Sequence, residues 1–172
     1  DGGQSGGGHL GYADKLEVIN TQVRYNESDG TGGGLYLEHN DSIFISYSNI
    51  LFNDANNASS GGMYIGSENE YVNISNTNIV GNEGNVGGMQ CFSDELIMNS
   101  CRIDSNISPG SAGGLYIHSD NTLISNCLFT YNEANDYAAF FVEGDELVLA
   151  NSTLAGNINN SIHSASLGFS GN

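Results

Sequence analysis

The sequence predicts an all-β protein, a right-handed single-stranded parallel β-helix of about six coils with three parallel sheets. Two landmarks support this prediction because both recur at one period along the 172 residues. The first is the second glycine of a Gly-Gly pair, at Gly8, Gly34, Gly62, Gly88 and Gly114, with Ala139 in the sixth place. The second is an asparagine that follows an apolar residue by three positions, at Asn26, Asn53, Asn82, Asn106, Asn132 and Asn157.

This period makes residues 1–172 a single β-helix domain. Its coils start near residues 8, 34, 62, 88, 114 and 139, and residues 161–172 begin a partial seventh turn. Six coils stacked at a spacing of about 4.8 Å give a rod roughly 30 Å long. Parallel crossovers are almost always right-handed, which sets the predicted hand. No segment has apolar residues at helical spacing, so helices are not expected.

The first strand of each coil follows the glycine pair. Alternate residues point inward, and the residue between them points outward. The inward pairs are Leu35 and Leu37, Met63 and Ile65, Met89 and Cys91, Leu115 and Ile117, and Phe140 and Val142. The outward residues are Tyr36, Tyr64, Gln90, Tyr116 and Phe141.

The second strand supplies another inward pair, and a polar bend follows it. The pairs are Leu16 and Val18, Ile43 and Ile45, Val72 and Ile74, Leu96 and Met98, Thr122 and Ile124, and Leu147 and Leu149. The bend residues are Asn20, Tyr47, Asn76, Ser100, Asn126 and Asn151. Asparagine tolerates the left-handed conformation, so we expect that conformation here, with amides that stack between coils.

The third strand ends each coil. It holds a small residue, then an apolar residue, then the closing asparagine, for which we predict a structural ladder of stacked amides. The small residues are Thr21, Ser48, Thr77, Cys101, Cys127 and Ser152. We expect stacked buried thiols at Cys101 and Cys127, with a disulfide between them as the alternative. Loops of variable length follow each closing asparagine.

The charge balance excludes several partners. Twenty acidic residues against Lys15, Arg24 and Arg102 give a net charge of -17. Nucleic acid and anionic membranes repel such a surface, and no apolar run is long enough to insert into a bilayer. The composition favours an extracellular or cell-surface setting. Because the chain starts at Asp1 inside a Gly-rich stretch, we expect a piece of a longer exported precursor.

Paired motifs carry a family resemblance over about residues 7–160. G-G-L-Y and G-G-M-Y combine with I-L-F-N, I-V-G-N, F-T-Y-N and L-A-G-N. This pattern resembles the G-G-A-I and F-x-x-N repeats of polymorphic outer-membrane proteins and related right-handed β-helix surface proteins of the pectin-lyase-like superfamily. That superfamily includes adhesins, tailspikes and polysaccharide lyases, so the resemblance implies a fold more strongly than an activity.

The turn after the first strand is acidic in every coil. Stacked carboxylates about 5 Å apart suit calcium, and the alternative is a hydrated acidic edge that prevents aggregation. Other than calcium, no cofactor is expected. The candidate ligands are Glu38, Asp41, Glu68, Glu70, Asp94, Glu95, Asp120, Asp145 and Glu146.

Two outward columns are apolar and predict an interaction surface. They are Tyr36, Tyr64, Tyr116 and Phe141 on the first strands, and Phe44, Ile97, Leu123 and Val148 on the second. A continuous apolar stripe favours a sugar-binding platform or a lateral contact with a second copy, unless loops cover it. Sequons predict glycans at Asn40, Asn57 and Asn73, which we place in turns, loops or outward positions.

These features favour an extracellular structural or adhesive protein without catalytic activity. Open β-helix ends invite coaxial addition of another copy, so we predict end-to-end assembly into a filament or fibre. Surface glycans are the other expected partner. The alternative is a carbohydrate-binding or polysaccharide-cleaving module of an exported enzyme or tailspike. The three basic residues and the isolated histidines argue against a lyase.

Overall fold

A computed structural model describes residues 5–56, 58–161 and 167–171. These residues form stacked parallel strands without a helix, which confirms the predicted all-β solenoid of about six coils. The strands are β1 (Gly8–Ile19), β2 (Gln22–Arg24), β3 (Leu35–Ser46), β4 (Asn49–Leu51), β5 (Met63–Ile65), β6 (Tyr71–Ser75), β7 (Asn78–Val80), β8 (Met89–Asn99), β9 (Arg102–Asp104), β10 (Leu115–Ser125), β11 (Leu128–Thr130), β12 (Glu133–Ala134), β13 (Phe140–Glu143), β14 (Glu146–Ala150), β15 (Thr153–Ala155), β16 (Ile158–Asn159) and β17 (Leu167–Ser170).

The strands form several parallel sheets. A nine-stranded sheet has the order β1-β3-β5-β8-β10-β13-β17 and also includes β6 and β14. A six-stranded sheet has the order β2-β4-β7-β9-β11-β15, and β12 pairs with β16. The predicted first and second sheets are continuous because β1, β3, β8 and β10 each run through both. Strand β17 pairs with β13, as a further turn at the carboxyl-terminal end requires.

The register of the first coil differs from the sequence alignment by one residue. Gly8 pairs with Leu35, and the Gly7 amide donates to the Gly34 carbonyl at 3.0 Å. The predicted equivalence of Gly8 with Gly34 is therefore wrong, and Gly7 is the counterpart. Three consecutive glycines at positions 6–8 concealed this shift.

The tube is filled by the predicted inward side chains. All five first-strand pairs are buried, and so are the inner residues of the second and third strands in the middle coils. Phe129 and Phe140 are the largest of them, with ring centroids 4.8 Å apart. Full burial stabilises each such side chain by about 1.5–3 kcal/mol. The inward side chains are more exposed at the carboxyl-terminal end, where Leu149 is 39% exposed.

The predicted asparagine ladder is confirmed. In the first five coils, the asparagine Nδ2 donates to Oδ1 of the next ladder asparagine at 2.9–3.0 Å. The backbone N–H donates to the same oxygen at 3.0–3.1 Å. From Asn53 onward, Nδ2 also donates to a carbonyl of the preceding coil. The ladder therefore pairs polar groups that would otherwise be unsatisfied in the interior.

Every coil has left-handed corners at two equivalent positions. The predicted bend residues all have φ between 48° and 56°. A second corner, which the sequence did not predict, precedes each ladder asparagine, at Tyr25, Phe52, Gly81, Ser105, Tyr131 and Gly156. Asn126 and the other bend asparagines are exposed, so the prediction that they also stack into a ladder is wrong. Their role is conformational, because Asn tolerates positive φ.

The side chain of the small residue after each bend donates a hydrogen bond to the backbone carbonyl of the residue just before the bend. Ser48 Oγ donates to the Ser46 carbonyl at 2.9 Å, and the equivalent Cys127 Sγ approaches the Ser125 carbonyl at 3.1 Å. The three cysteines are free and buried, so the disulfide alternative is wrong. The thiols at Cys101 and Cys127 take the place that hydroxyl groups hold in neighbouring coils.

Candidate binding face

An unbroken line of rings runs along the outward side of the nine-stranded sheet. We call His9, Tyr36, Tyr64, Phe92 and His118 the aromatic row. Successive ring centroids lie 4.7, 5.3, 5.8 and 5.8 Å apart, with interplanar angles between 37° and 50°. Tilted contacts at this distance are favourable for aromatic pairs. The parallel stacking of coils therefore produces a row that extends over five coils.

A shorter group of rings lies beside the far end of the aromatic row. Tyr116 contacts Phe141 at a centroid distance of 5.3 Å, and Tyr137 stacks on Phe141 at 4.6 Å. Tyr137 belongs to the loop between β12 and β13, so one loop does fold over this end. The predicted outward tyrosines and Phe141 all face outward, and each is half-buried by its neighbours.

Glu38 organises the polar contacts of the aromatic row. One carboxylate oxygen accepts a hydrogen bond from the Tyr36 hydroxyl at 2.5 Å, and His9 Nε2 lies 2.7 Å from the other oxygen. His39 Nε2 is 3.6 Å away and its Nδ1 is 2.7 Å from Glu68. Tyr12 stacks on His39 at 4.8 Å. Three coils thus contribute to one cluster of rings and carboxylates.

The hydrogen bond between Tyr36 and Glu38 shifts the pKa of both side chains. The hydrogen bond from Tyr36 lowers the pKa of Glu38, and the contact with His9 adds to this effect. Burial and the hydrogen bond to Glu38 raise the pKa of Tyr36. Glu38 is therefore an ionised acceptor and Tyr36 a neutral donor at neutral pH.

The second predicted apolar column is divided between covered and open positions. Phe44 contacts Tyr71 at 5.7 Å, and Lys15 Nζ lies 5.1 Å from the Phe44 ring centre. Ile97 is half-buried, whereas Leu123 is 36% and Val148 41% exposed. The open part of this column therefore lies in the last two full coils.

The fold divides the acidic candidates among several separate surroundings. Asp41, Glu68, Glu70 and Asp94 line one open cleft of about 330 Å³ with His39 and Asn69, and Asp120 lines the adjoining cleft. Glu95 and Glu146 line a different groove, and Glu38 is engaged by Tyr36 and His9. Over residues 5–56, 58–161 and 167–171, no three His, Cys, Asp or Glu side chains are grouped to hold a metal ion. Calcium binding stays a prediction.

The three predicted glycosylation positions differ in their surroundings. Asn40 is fully buried, and its Nδ2 donates to the Glu38 carbonyl at 2.8 Å, so the prediction that it lies in an open turn is wrong. Asn73 faces outward on β6, with Nδ2 3.0 Å from the Tyr71 hydroxyl. Its modification stays a prediction. Asn57 lies outside the described residues.

Sequence reasoning missed three members of the aromatic row, His9, Phe92 and His118. His9 was missed because the sequence alignment took Gly8 in place of Gly7 as the counterpart of Gly34. The ladder asparagines Asn26 and Asn53 are 27 residues apart, and the same spacing places His9 opposite Tyr36. Phe92 was missed because Gln90 holds the tyrosine position of its coil. The ring of Phe92, two residues further along the strand, restores contact with Tyr64.

The described part of the chain contains no helix that is long and apolar enough to cross a membrane. Comparison with curated proteins and with solved structures finds no match. The family described as "Right handed beta helix region" matches residues 4–172, which is nearly the whole chain and agrees with the stacked parallel coils. The chain therefore belongs to the right-handed β-helix family.

Proposed function

We propose that this protein is a non-catalytic adhesive β-helix of the cell exterior, and that it binds an extended carbohydrate chain along the aromatic row. The observation that carries the proposal is the continuity of that row over five coils. Sugar rings pack their apolar faces against aromatic side chains, while their hydroxyls need acceptors at the edge. A site of this composition, mostly aromatic with a few placed polar groups, is typical of small-molecule recognition.

The polar groups beside the rings match a neutral, hydroxyl-rich ligand. Glu38 is ionised and accepts hydrogen bonds, and His9 and His39 stand on either side of it. Tyr64 keeps its hydroxyl protonated because burial and the charge of Glu38 raise its pKa. A linear chain that follows the rod axis would meet the same kind of contact in each coil. Repetition of weak contacts supports adhesion, because linked contacts reinforce one another.

Binding is tested with a glycan array and with sedimentation on insoluble polysaccharides such as cellulose and chitin. We expect Tyr64→Ala and Phe92→Ala to weaken retention by about tenfold each, the loss of one aromatic contact. Tyr131→Asn is the matched control, because Tyr131 is 67% exposed at a left-handed corner outside the aromatic row. Failure of the wild-type protein to retain any glycan would refute the proposal, and so would an equal loss in Tyr131→Asn.

A second candidate function is end-to-end assembly into a fibre. Among the described residues, β14 and β15 have no strand on their outer side, and β1 and β2 have none on theirs. Leu149 at one end and Leu10 at the other are each 39% exposed. A second copy placed on the rod axis would continue the same parallel register, with the Asn157 amide facing the Asn26 oxygen.

Light scattering and electron microscopy test this second function. We expect concentration-dependent filaments from the wild-type chain and a monomer from Leu149→Lys, which places a charge at the open end. Leu10→Lys gives the same test at the opposite end. A wild-type chain that stays monomeric at high concentration, with and without calcium, would contradict end-to-end assembly.

A further inference from the structure

Two thiol groups lie side by side in neighbouring coils, at the corner between the second and third strands. Strands β9 and β11 pair in register with Leu128 opposite Arg102, so Cys127 comes next to Cys101. The Leu128 N–H donates to the Cys101 carbonyl at 2.9 Å and fixes this alignment. The two cysteine side chains interact with each other, and both are 3% exposed. The chain therefore holds a pair of sulfurs that carbohydrate binding does not use.

The spacing of the two sulfurs suits a bridging ion better than a direct bond. Equivalent atoms of neighbouring parallel strands stand about 4.8 Å apart. A disulfide needs its sulfurs at about 2.05 Å from each other, and both cysteines are free. Two thiolate bonds to one metal ion, each about 2.3 Å long, span about 4.6 Å when they point in opposite directions. An ion between the sulfurs therefore matches the coil spacing.

We propose that Cys101 and Cys127 bind one Cu(I) ion between their sulfurs. Thiolates select soft ions, and Cu(I) is satisfied by two such ligands in a line. Zinc takes four ligands, and the described parts of the chain group no third His, Cys, Asp or Glu with this pair. Binding releases both thiol protons to water, so the bridged site carries one negative charge. The proposal goes beyond carbohydrate binding because it concerns another part of the molecule and another kind of ligand.

Backbone groups of the neighbouring coils are placed to hold the charged sulfurs. Where this column carries a hydroxyl, a backbone N–H of the preceding coil donates to it, from Thr21 to Ser48 Oγ at 3.1 Å and from Ser48 to Thr77 Oγ1 at 3.4 Å. Cys101 has the equivalent backbone contact with Thr77, and Cys127 has it with Cys101. An N–H directed at a charged acceptor makes a strong hydrogen bond. The fold therefore supplies a donor for each thiolate.

The column limits the site to a single ion and leaves it close to solvent. Thr77 and Ser152 flank the pair, and their hydroxyls each donate to a carbonyl of their own coil at 2.9 Å. Hydroxyls are poor ligands for a soft ion, so the column has no second site. The residues directly before the cysteines, Ser100 and Asn126, are exposed. An ion therefore has a short path from the surface to the sulfurs.

The probe is Cu(I) itself, supplied to the reduced protein without oxygen from a coloured chelator such as bicinchoninate. We expect the protein to withdraw one ion per chain and to show thiolate-to-copper absorption in the near ultraviolet. Cys101→Ser with Cys127→Ser should leave the copper on the chelator, and each single variant should bind at least about a hundredfold more weakly. Circular dichroism should show that the double variant folds, because Ser48 and Ser152 hold the same place in other coils.

The matched control is Cys91→Val, which removes the third thiol from a column where Ile65 and Ile117 are its neighbours. We expect this control to bind Cu(I) as the wild type does. A wild type that takes no copper, a control that loses as much as the double Ser variant, or unchanged binding by that variant would overturn the proposal. So would a disulfide between Cys101 and Cys127 in the purified protein, because its sulfurs are too close for a bridging ion. None of these outcomes bears on glycan binding, so the two proposals fail independently.

Discussion

Removal of one ladder side chain from the middle of the stack tests the physical account of this fold. In Asn106→Ala, Asn82 loses the oxygen that accepts its backbone N–H and its Nδ2, both at 3.0 Å. The Ile79 carbonyl and Asn132 Oδ1 lose a donor, each at 2.9 Å. Four buried hydrogen bonds are lost, although Asn82 Nδ2 keeps the Ile50 carbonyl and Asn132 Oδ1 keeps the backbone N–H of residue 106. At about 1 kcal/mol for each lost bond, the variant loses about 4 kcal/mol.

Urea unfolding followed by circular dichroism measures this loss. The control is Asn126→Gly, which removes an exposed asparagine at a left-handed bend, with φ 54°, where glycine is unstrained. We expect the free energy of unfolding of this control to change by about 0.5 kcal/mol or less. An Asn106→Ala variant that loses no more than Asn126→Gly would show that the ladder does not stabilise the stack.

Three further predictions concern packing, pH and thiol reactivity. Gly88→Ala would place a Cβ 2.3 Å from the Gly114 carbonyl oxygen, so we expect thermal unfolding to show a loss of about 3 kcal/mol. Gly66→Ala, whose Cβ comes no closer than 3.3 Å to another atom, should lose much less. Glu38 has a pKa below its ordinary 4.5, so its ionised form stabilises the fold above that pH. This contribution is lost as pH falls through the lowered pKa, and urea titrations of Glu38→Gln should show a weaker acid dependence. Burial raises the pKa of the Cys91 thiol to about 12, so mass spectrometry should find no alkylation by iodoacetamide near neutral pH until the chain unfolds. Rapid alkylation of Cys91 in the native chain would contradict its inward position.

The left-handed corners show where the sequence was informative and where it was not. Asparagine at four of the six bends predicted positive φ there, because Asn tolerates this conformation better than most residues. The corner before each ladder asparagine is held by Tyr25, Phe52 and Tyr131 as well as by small residues. Aromatic residues carry no preference for positive φ. At these corners the conformation follows from the hydrogen bonds of the stacked coils.

The acidic turns illustrate a second limit. The sequence places a carboxylate in every coil, but the direction of each side chain depends on the local bend of the strand. Glu38 turns to Tyr36 and His9, whereas Glu95 and Glu146 face an aliphatic groove. Carboxylates that the sequence assigns to the same turn therefore have different surroundings.

The sequence by itself determined the architecture. A repeated inward pair, a closing asparagine and a small residue before the third strand are enough to specify a parallel coil, because each coil can bury its apolar side only against an identical neighbour. The apolar strand positions inside the tube could be predicted for this reason, whereas the buried Asn40 could not. Only the tertiary structure decided the outer surface. The register of the first coil brings His9 to Tyr36, and Phe92 continues the row past Gln90. Outward side chains have no periodic constraint, so their contacts depend on the stacking of the coils.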